Sequence, residues 1–259
     1  MPPSGSARKD RPAPAGWKPG PRTTTRQRAG AKTTGRSEAI FPEAIFFDFD
    51  GVLVESNAIK LEAFEQLYAS YGPTTLARVM DYIDSREGIS RVEKIRHAHE
   101  AFLGIHLNET DLGILTDRYS SLVEDAVVAS PWVVGAREFL EAHAGRLPMF
   151  VVTGTPEVEI RRIAERRGMA HFFTELRGSP LRKPPIVREL LARHGLSAER
   201  AVFIGDALFD HQTARETGLR FIGRVPPGRP SPFPAGTEIA TDLCDLAERL
   251  ATPPQIAHA

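Results

Sequence analysis

Four short, mostly apolar runs lie along the chain, at residues 44–47, 149–152, 201–204 and 219–223. The first three lead directly into polar or glycine-containing segments. Runs of this length without regular polar alternation are typical of parallel strands that are buried on both faces. They predict the central strands of one sheet.

Helical patterns separate these runs. One helix is predicted to begin near Pro156, with Thr155 as its N-cap and Gly168 as its stop, and another is predicted from about Pro185 to Gly195. Strands that alternate with helices indicate an α/β fold with a doubly wound parallel sheet.

Residues 57–129 interrupt this alternation, because their apolar positions recur every three or four residues and predict helices alone. We therefore expect an all-helical cap inserted after the first strand. The predicted organisation is a tail at 1–41, an α/β core at 42–56 and 130–259, and the cap at 57–129. The sets that define the cap helices are Phe64, Leu67, Tyr68 and Tyr71; Val92, Ile95, His99 and Phe102; and Leu112, Leu115, Tyr119 and Leu122.

The balanced charge of the chain conceals a basic N-terminal segment. Residues 1–37 carry nine Lys or Arg and one acid, which leaves 24 basic and 32 acidic residues elsewhere. The segment is rich in Pro, Gly, Ser and Thr, so we expect it to be disordered. A solvated extension is the favoured interpretation, and contact with nucleic acid is the alternative.

Composition otherwise indicates an ordinary soluble protein, with 41% hydrophobic and 25% charged residues. The single cysteine, the lack of a signal-peptide pattern and the lack of a membrane-length apolar run favour a reducing cytoplasm and no membrane partner. The sequence leaves the oligomeric state open.

The unusual polar residues follow the predicted strands. Asp48 and Asp50 come after the first, Thr153 after the second, and Asp206 after the third. Because ligands of open parallel sheets bind beyond the carboxyl ends of the strands, these side chains are expected to converge. The other members of the predicted site are Asp210, on a helix start, and Lys183, in a Pro-rich loop.

Converging carboxylates repel one another and therefore call for a hard cation, and oxygen ligands are those that Mg²⁺ prefers. A phosphate substrate sharpens this need, because a carboxylate cannot approach a dianion unless its charge is balanced. Mg²⁺ and Lys183 can supply that balance, while the Thr153 hydroxyl and the backbone near Gly154 can hold phosphoryl oxygens.

These residues resemble the four motifs of the haloacid dehalogenase-like (HAD) superfamily, over about residues 42 to 225. The inserted helical segment resembles the small cap of the subgroup that contains phosphoglycolate phosphatase and β-phosphoglucomutase. The motifs are Asp48-Phe49-Asp50-Gly51-Val52-Leu53, Val152-Thr153-Gly154-Thr155, Lys183, and Gly205-Asp206-Ala207-Leu208-Phe209-Asp210.

The resemblance implies a role for each position. Asp48 would be the nucleophile that forms an aspartyl-phosphate, and Asp50 the general acid and base. The Asp48 side chain, the Asp50 carbonyl oxygen and Asp206 would bind Mg²⁺, with Asp210 as a ligand through water or as an orienter of Lys183. Repulsion between two carboxylates would keep one of them protonated.

The cap loop Glu87-Gly88-Ile89-Ser90-Arg91 resembles the loop that offers an arginine to a distal phosphate in sugar-phosphate mutases. Arg91 is therefore a candidate anion clamp, and a solvated arginine at a helix start is the alternative.

The favoured function is a Mg²⁺-dependent phosphatase that acts on a small phosphorylated metabolite. A sugar phosphomutase of the β-phosphoglucomutase type is the first alternative. A non-catalytic phosphoacceptor or binding module is the second.

Overall fold

The computed structural model describes residues 41–252, which contain one six-stranded sheet with helices on both faces. All neighbouring strands are parallel, in the order β3-β2-β1-β4-β5-β6. The predicted doubly wound sheet is thus confirmed. The strands are β1 (Ala44–Phe47), β2 (Met149–Pro156), β3 (Glu175–Ser179), β4 (Ala201–Gly205), β5 (Arg220–Arg224) and β6 (Ile239–Ala240).

The α-helices of the described residues flank this sheet or fill the segment after β1. They are α1 (Asn57–Tyr68), α2 (Pro73–Asp84), α3 (Arg91–Ala98), α4 (Glu109–Ala129), α5 (Ala136–His143), α6 (Glu157–Arg166), α7 (Lys183–His194), α8 (Leu208–Thr217) and α9 (Leu246–Ala251). Within residues 41–252, none of these helices is long and apolar enough to cross a membrane.

Side chains that alternate along the central strands fill two separate cores. Phe46 of β1 stacks on Phe150 of β2, with ring centroids 4.9 Å apart, on the face covered by α7 and α8. Ile45 and Phe47 point to the opposite face, where α5 and α6 pack. Because both faces are buried, these strands are apolar throughout.

Helices α1 to α4 occupy the segment between β1 and β2, and they form the cap, residues 57–129. Phe64 of α1 lies against Tyr119 of α4, with ring centroids 4.4 Å apart. Short helical turns at Ala69–Tyr71 and His99–Leu103 extend α1 and α3. This segment, all of which the structure describes, contains no strand. The predicted tail lies outside the described residues except for Phe41.

Some elements are not predicted by the apolar runs. β3 carries half-buried Glu175 and Arg177, and β6 has only two residues. Helix α2 is absent from the predicted cap helices, although its signal is present in the sequence. Its apolar residues recur at helical spacing, at Leu76, Val79, Met80 and Ile83.

Lys183 is the first residue of α7 rather than part of a loop. Pro184 and Pro185 occupy the first helical turn, where the missing backbone N–H leaves no hydrogen bond unmade. The predicted helix start near Pro185 is therefore too late by two residues. As a result, the backbone that carries Lys183 is held in a regular helix.

Replacing Phe46 with alanine tests the importance of the core between β1 and α7. Because Phe46 is fully buried, we expect Phe46→Ala to lower the free energy of unfolding by about 3–5 kcal/mol. Phe41→Ala is the matched control, since Phe41 is 36% exposed. Denaturant unfolding measures both. Equal losses would show that the packing of Phe46 is not what stabilises the sheet.

Candidate active site

The predicted site residues meet at the carboxyl ends of the three central strands. β1 lies between β2 and β4. Asp48 directly follows β1, Thr153 lies within β2, and Asp206 directly follows β4. The helix before β2, α5, and the helix before β4, α7, lie on opposite faces of the sheet. Open α/β sheets form ligand-binding crevices at such a switch point.

Asp48 and Lys183 form a buried ion pair. Lys183 Nζ lies 2.9 Å from Asp48 Oδ2 and 2.6 Å from Asp210 Oδ1. The other Asp48 oxygen, Oδ1, accepts a hydrogen bond of 2.6 Å from the Phe49 N–H. Burial opposes the charged form of Lys183, but the carboxylates of Asp210 and Asp48 outweigh it and raise its pKa. Lys183 is therefore a permanent cation.

Three carboxylates form a candidate metal centre. Asp48, Asp206 and Asp210 each offer one oxygen, and these oxygens lie within 4.8 Å of one another. Burial, together with the charges of Asp48 and Asp210, raises the pKa of Asp206 well above its usual value. Lys183 balances one of the three negative charges, so a divalent cation would balance the rest. The all-oxygen donor set fits Mg²⁺.

Asp50 is held apart from this centre by residues of the cap. Its Oδ1 accepts a hydrogen bond of 2.6 Å from the Ser56 hydroxyl, and its Oδ2 pairs with Lys60 of α1. Burial raises the pKa of Asp50, but the charge and hydrogen bond of Lys60 and the bond from Ser56 outweigh it, so the pKa lies below its usual value. The expectation that repulsion would protonate one carboxylate of the motif therefore does not apply to Asp50 here.

Thr155 has a different role from the one predicted. Helix α6 begins at Glu157, and its N-cap is Pro156, with no capping side chain. The Thr155 hydroxyl instead accepts a hydrogen bond of 2.7 Å from Lys60 Nζ. The predicted N-cap is wrong because β2 continues to Pro156 and aims Thr155 at the site.

Thr153 and Gly154 lie beneath a loop of the cap. The buried Thr153 hydroxyl accepts a hydrogen bond of 3.2 Å from the Thr155 N–H. A Cβ on Gly154 would lie 3.3 Å from the carbonyl oxygen of Gly88 and 3.2 Å from that of Ile89. The lack of a side chain at position 154 therefore allows the cap loop to approach the strand end closely.

Arg91 lines the same cleft but is neither free nor solvated. It is the first residue of α3, after the N-cap Ser90, and is 5% exposed. Its guanidinium donates two hydrogen bonds to Glu159 of α6, at 2.9 and 2.5 Å, and one of 2.7 Å to Ser120. The solvated alternative is wrong, and an anion clamp would require Arg91 to leave a buried carboxylate.

Helix α1 contributes two polar contacts to the site that the motifs do not predict. Asn57 donates a hydrogen bond of 2.5 Å to Asp206 Oδ2, and Lys60 pairs with Asp50. Phe64, one further turn along, lines the same cavity. The spacing of these three residues places them on one face of a helix directly after the first motif, and that spacing is visible in the sequence.

The cap and the strand ends line a partly open cavity of about 160 Å³ above these residues. Its base is formed by the strand ends and its wall by the cap, with Arg229 from the loop after β5. An apolar cavity of about 150 Å³ holds a molecule as small as benzene. A cavity of this volume therefore suits a phosphate group with few further atoms.

The family model for haloacid dehalogenase-like hydrolases matches residues 45–224, more than two thirds of the chain. The chain belongs to this family. The matched segment contains every residue of the base of the cavity and the whole cap. The resemblance found in the motifs is thereby confirmed.

Individual relatives in the family are distant. A phosphoglycolate phosphatase of Vibrio cholerae is 27% identical over 69% of this chain and 82% of its own length. A 5′-nucleotidase of Pseudomonas aeruginosa is 37% identical, but over 34% of this chain and 43% of its own. The crystal structure of a predicted phosphoglycolate phosphatase from Haemophilus somnus has the same fold, with a TM-score of 0.64. The two sequences are 21% identical, and the match covers 83% of this chain and 99% of the other.

Adding a side chain at Gly51 should damage the candidate metal centre. Gly51 has a φ of +69°, and a Cβ there would lie 2.0 Å from Asp206 Oδ2. We expect Gly51→Ala to weaken Mg²⁺ binding by about tenfold or more, because such neighbours orient metal ligands. Calorimetric titration with Mg²⁺ measures the effect.

Gly104→Ala is the matched control for this substitution. Gly104 has a φ of +67°, and a Cβ there would meet nothing within 4 Å. Both variants should lose about 1–2 kcal/mol of folding free energy from the left-handed backbone, but Gly104→Ala should keep Mg²⁺ affinity. Unchanged Mg²⁺ binding in Gly51→Ala would contradict the assignment of Asp206 as a ligand.

Proposed function

We propose that this protein is a Mg²⁺-dependent phosphatase that hydrolyses a small phosphate monoester through an aspartyl-phosphate. The observation that carries the proposal is the contact between Lys183 and Asp48 beside the cluster of Asp206 and Asp210. Membership of a hydrolase family and similarity to proteins named as phosphatases support it.

The first requirement of the reaction is to bring two anions together. A carboxylate about 3.5 Å from a phosphate dianion is repelled by about 9 kcal/mol at an effective dielectric constant near 20. Lys183 offsets part of this repulsion, because its amine lies against the Asp48 carboxylate. Asp48, Asp206, the Asp50 carbonyl oxygen and Asp210 would hold Mg²⁺, which supplies the remaining positive charge when bound.

In the first step, an Asp48 carboxylate oxygen forms a bond to phosphorus while the bond from phosphorus to the ester oxygen breaks. The leaving oxygen takes a proton from Asp50 and departs as an alcohol. The Thr153 hydroxyl and the Gly154 N–H, at the end of β2, are proposed to hold phosphoryl oxygens during the attack.

In the second step, water attacks phosphorus and the bond to Asp48 breaks, which releases phosphate and restores the carboxylate. Asp50 accepts the proton of that water. The hydrogen bonds from Ser56 and Lys60 keep Asp50 charged in the free protein, which suits this base role. A phosphate dianion beside Asp50 favours its protonated form, as the acid role requires.

The size of the cavity supports a small substrate. A space of about 160 Å³ is below the range of about 300–1,000 Å³ that is usual for drug-sized ligands. The phosphorylated group enters first, and the part of the ester farthest from phosphorus faces the cap residues.

A screen of phosphorylated metabolites with Mg²⁺ tests the proposal through release of inorganic phosphate. We expect at least one small ester to be hydrolysed, chelation to stop turnover and added Mg²⁺ to restore it. Asp48→Asn should lower kcat by about 10⁴-fold or more, as loss of a nucleophile does, with the folded structure retained by circular dichroism. Residual turnover near the wild-type rate would remove Asp48 as the nucleophile. Isomerised product from a sugar 1-phosphate, without phosphate release, would indicate a mutase instead.

The acid role of Asp50 predicts a dependence on the leaving group. Asp50→Asn should slow hydrolysis of an alkyl phosphate by about 10²–10⁴-fold. Nitrophenyl phosphate should lose much less, because its leaving group needs no proton. Asp84→Asn is the control, since Asp84 lines the cavity from the cap and should show no such selectivity. Equal losses for both substrates in Asp50→Asn would argue against general acid catalysis.

A further inference from the structure

Lys94 presents its amine to the cavity. It lies on α3, three residues after Arg91 and so on the same helix face. The side chain is 8% exposed, and it lines the cavity beside Phe64, whose ring centroid is 5.6 Å from Nζ. Among residues 41–252, no carboxylate oxygen lies within 4.0 Å of Nζ and no hydrogen bond from it is found.

The other buried cations around the site have partners. Lys60 pairs with Asp50, Lys183 pairs with Asp48 and Asp210, and Arg91 pairs with Glu159. Arg229 also lines the cavity, but it is an exposed residue at the edge. Within the described part of the chain, Lys94 is thus the cation on the inner wall of the cavity that has no ion-pair partner, whereas Arg229 lies at the exposed rim.

A charged side chain that makes no ion pair contributes little to folding through its charge. Burial lowers the pKa of Lys94 to about 8, with an opposing contribution from Glu87. The amine is still largely charged at neutral pH. Because folding gains nothing from an unpaired amine in this position, its place in the wall favours a role in binding.

We propose that Lys94 is a specificity-determining residue that binds an anionic group on the substrate, remote from the reacting phosphorus. This inference rests on the proposed phosphatase function. The anion is a carboxylate or a second phosphate, both of which accept charge-assisted hydrogen bonds from an ammonium group. Because the cavity is small, few atoms separate that anion from the phosphate that is cleaved.

Two acidic residues accompany Lys94 in the wall of the cavity. Glu87 and Asp84 line the same cavity. Burial, followed by the charge of Asp84, raises the pKa of Glu87. Lys94 then supplies the attraction that selects an anionic tail over a neutral tail of equal size.

Three esters of similar size isolate this interaction. They are 2-phosphoglycolate, with a carboxylate tail; 2-hydroxyethyl phosphate, with a neutral tail; and ethane-1,2-diyl bisphosphate, with a second phosphate. The measured quantities are kcat and KM for the wild type and for Lys94→Met and Lys94→Arg, with Mg²⁺ present. Arg96→Met is the matched control, because it removes a positive charge from the same helix, where Arg96 pairs with Glu109.

We expect Lys94→Met to lower kcat/KM about 10- to 100-fold for the ester with the preferred anion, mainly through KM, with less than a threefold change for 2-hydroxyethyl phosphate. Lys94→Arg should recover part of the loss, and Arg96→Met should leave all three esters unchanged. The anionic ester whose kcat/KM falls further in Lys94→Met carries the preferred anion, either the carboxylate or the second phosphate. Equal losses for neutral and anionic esters in Lys94→Met would overturn the inference.

Binding separates this inference from the proposed function. The same esters are titrated calorimetrically into Asp48→Asn and into the double variant Asp48→Asn/Lys94→Met, which requires no turnover. Weaker binding of an anionic ester in the double variant supports the role of Lys94. This conclusion holds even if the wild type hydrolyses none of the esters, because that outcome counts only against the phosphatase proposal. Equal binding of all three esters by both variants overturns the role of Lys94. Thermal unfolding should show Lys94→Met about as stable as the wild type, since no ion pair is lost with the amine.

Discussion

Three carboxylates and one amine are confined to the same few ångströms at the end of the sheet, and the rest of the structure serves this arrangement. Asp48, Asp206 and Asp210 carry more negative charge than Lys183 can balance. They remain together because β1 and β4 are buried on both faces and joined in one register. Lys183 is delivered by a helix that begins at that residue, so neither partner can move away to relieve the repulsion.

The cap is coupled to this charge balance because it contacts the acidic side chains of the candidate active site. Lys60 reaches Asp50, and Asn57 reaches Asp206. Farther from the reacting atoms, Arg91 pairs with Glu159 of α6, an interaction that is costly to break once it is buried. Changes of charge in the site, such as the arrival of a cation or a phosphate, therefore alter the forces that hold the cap on the core.

Sequence reasoning succeeds where a residue's place follows from topology. The strands β1, β2, β4 and β5 are marked by apolar runs, and their carboxyl ends had to bring Asp48 and Asp206 together. Sequence patterns do not predict ion pairs that form only when the cap packs on the core. The pairs Lys60 with Asp50 and Arg91 with Glu159 depend on how α1 and α3 lie over the sheet, which no local pattern specifies. The short strands β3 and β6 are missed because their residues are partly polar or too few to form a pattern.

The bare backbone at Gly154 determines how closely the cap loop can approach the end of β2. A methyl group at this position would lie 3.3 Å from the carbonyl oxygen of Gly88 and 3.2 Å from that of Ile89, closer than ordinary van der Waals contact. Even an alanine there would require the cap loop to move away from β2 by a few tenths of an ångström. The fit of the cap over the site thus depends on the absence of a side chain at position 154, which carries no charge and takes no part in proton transfer.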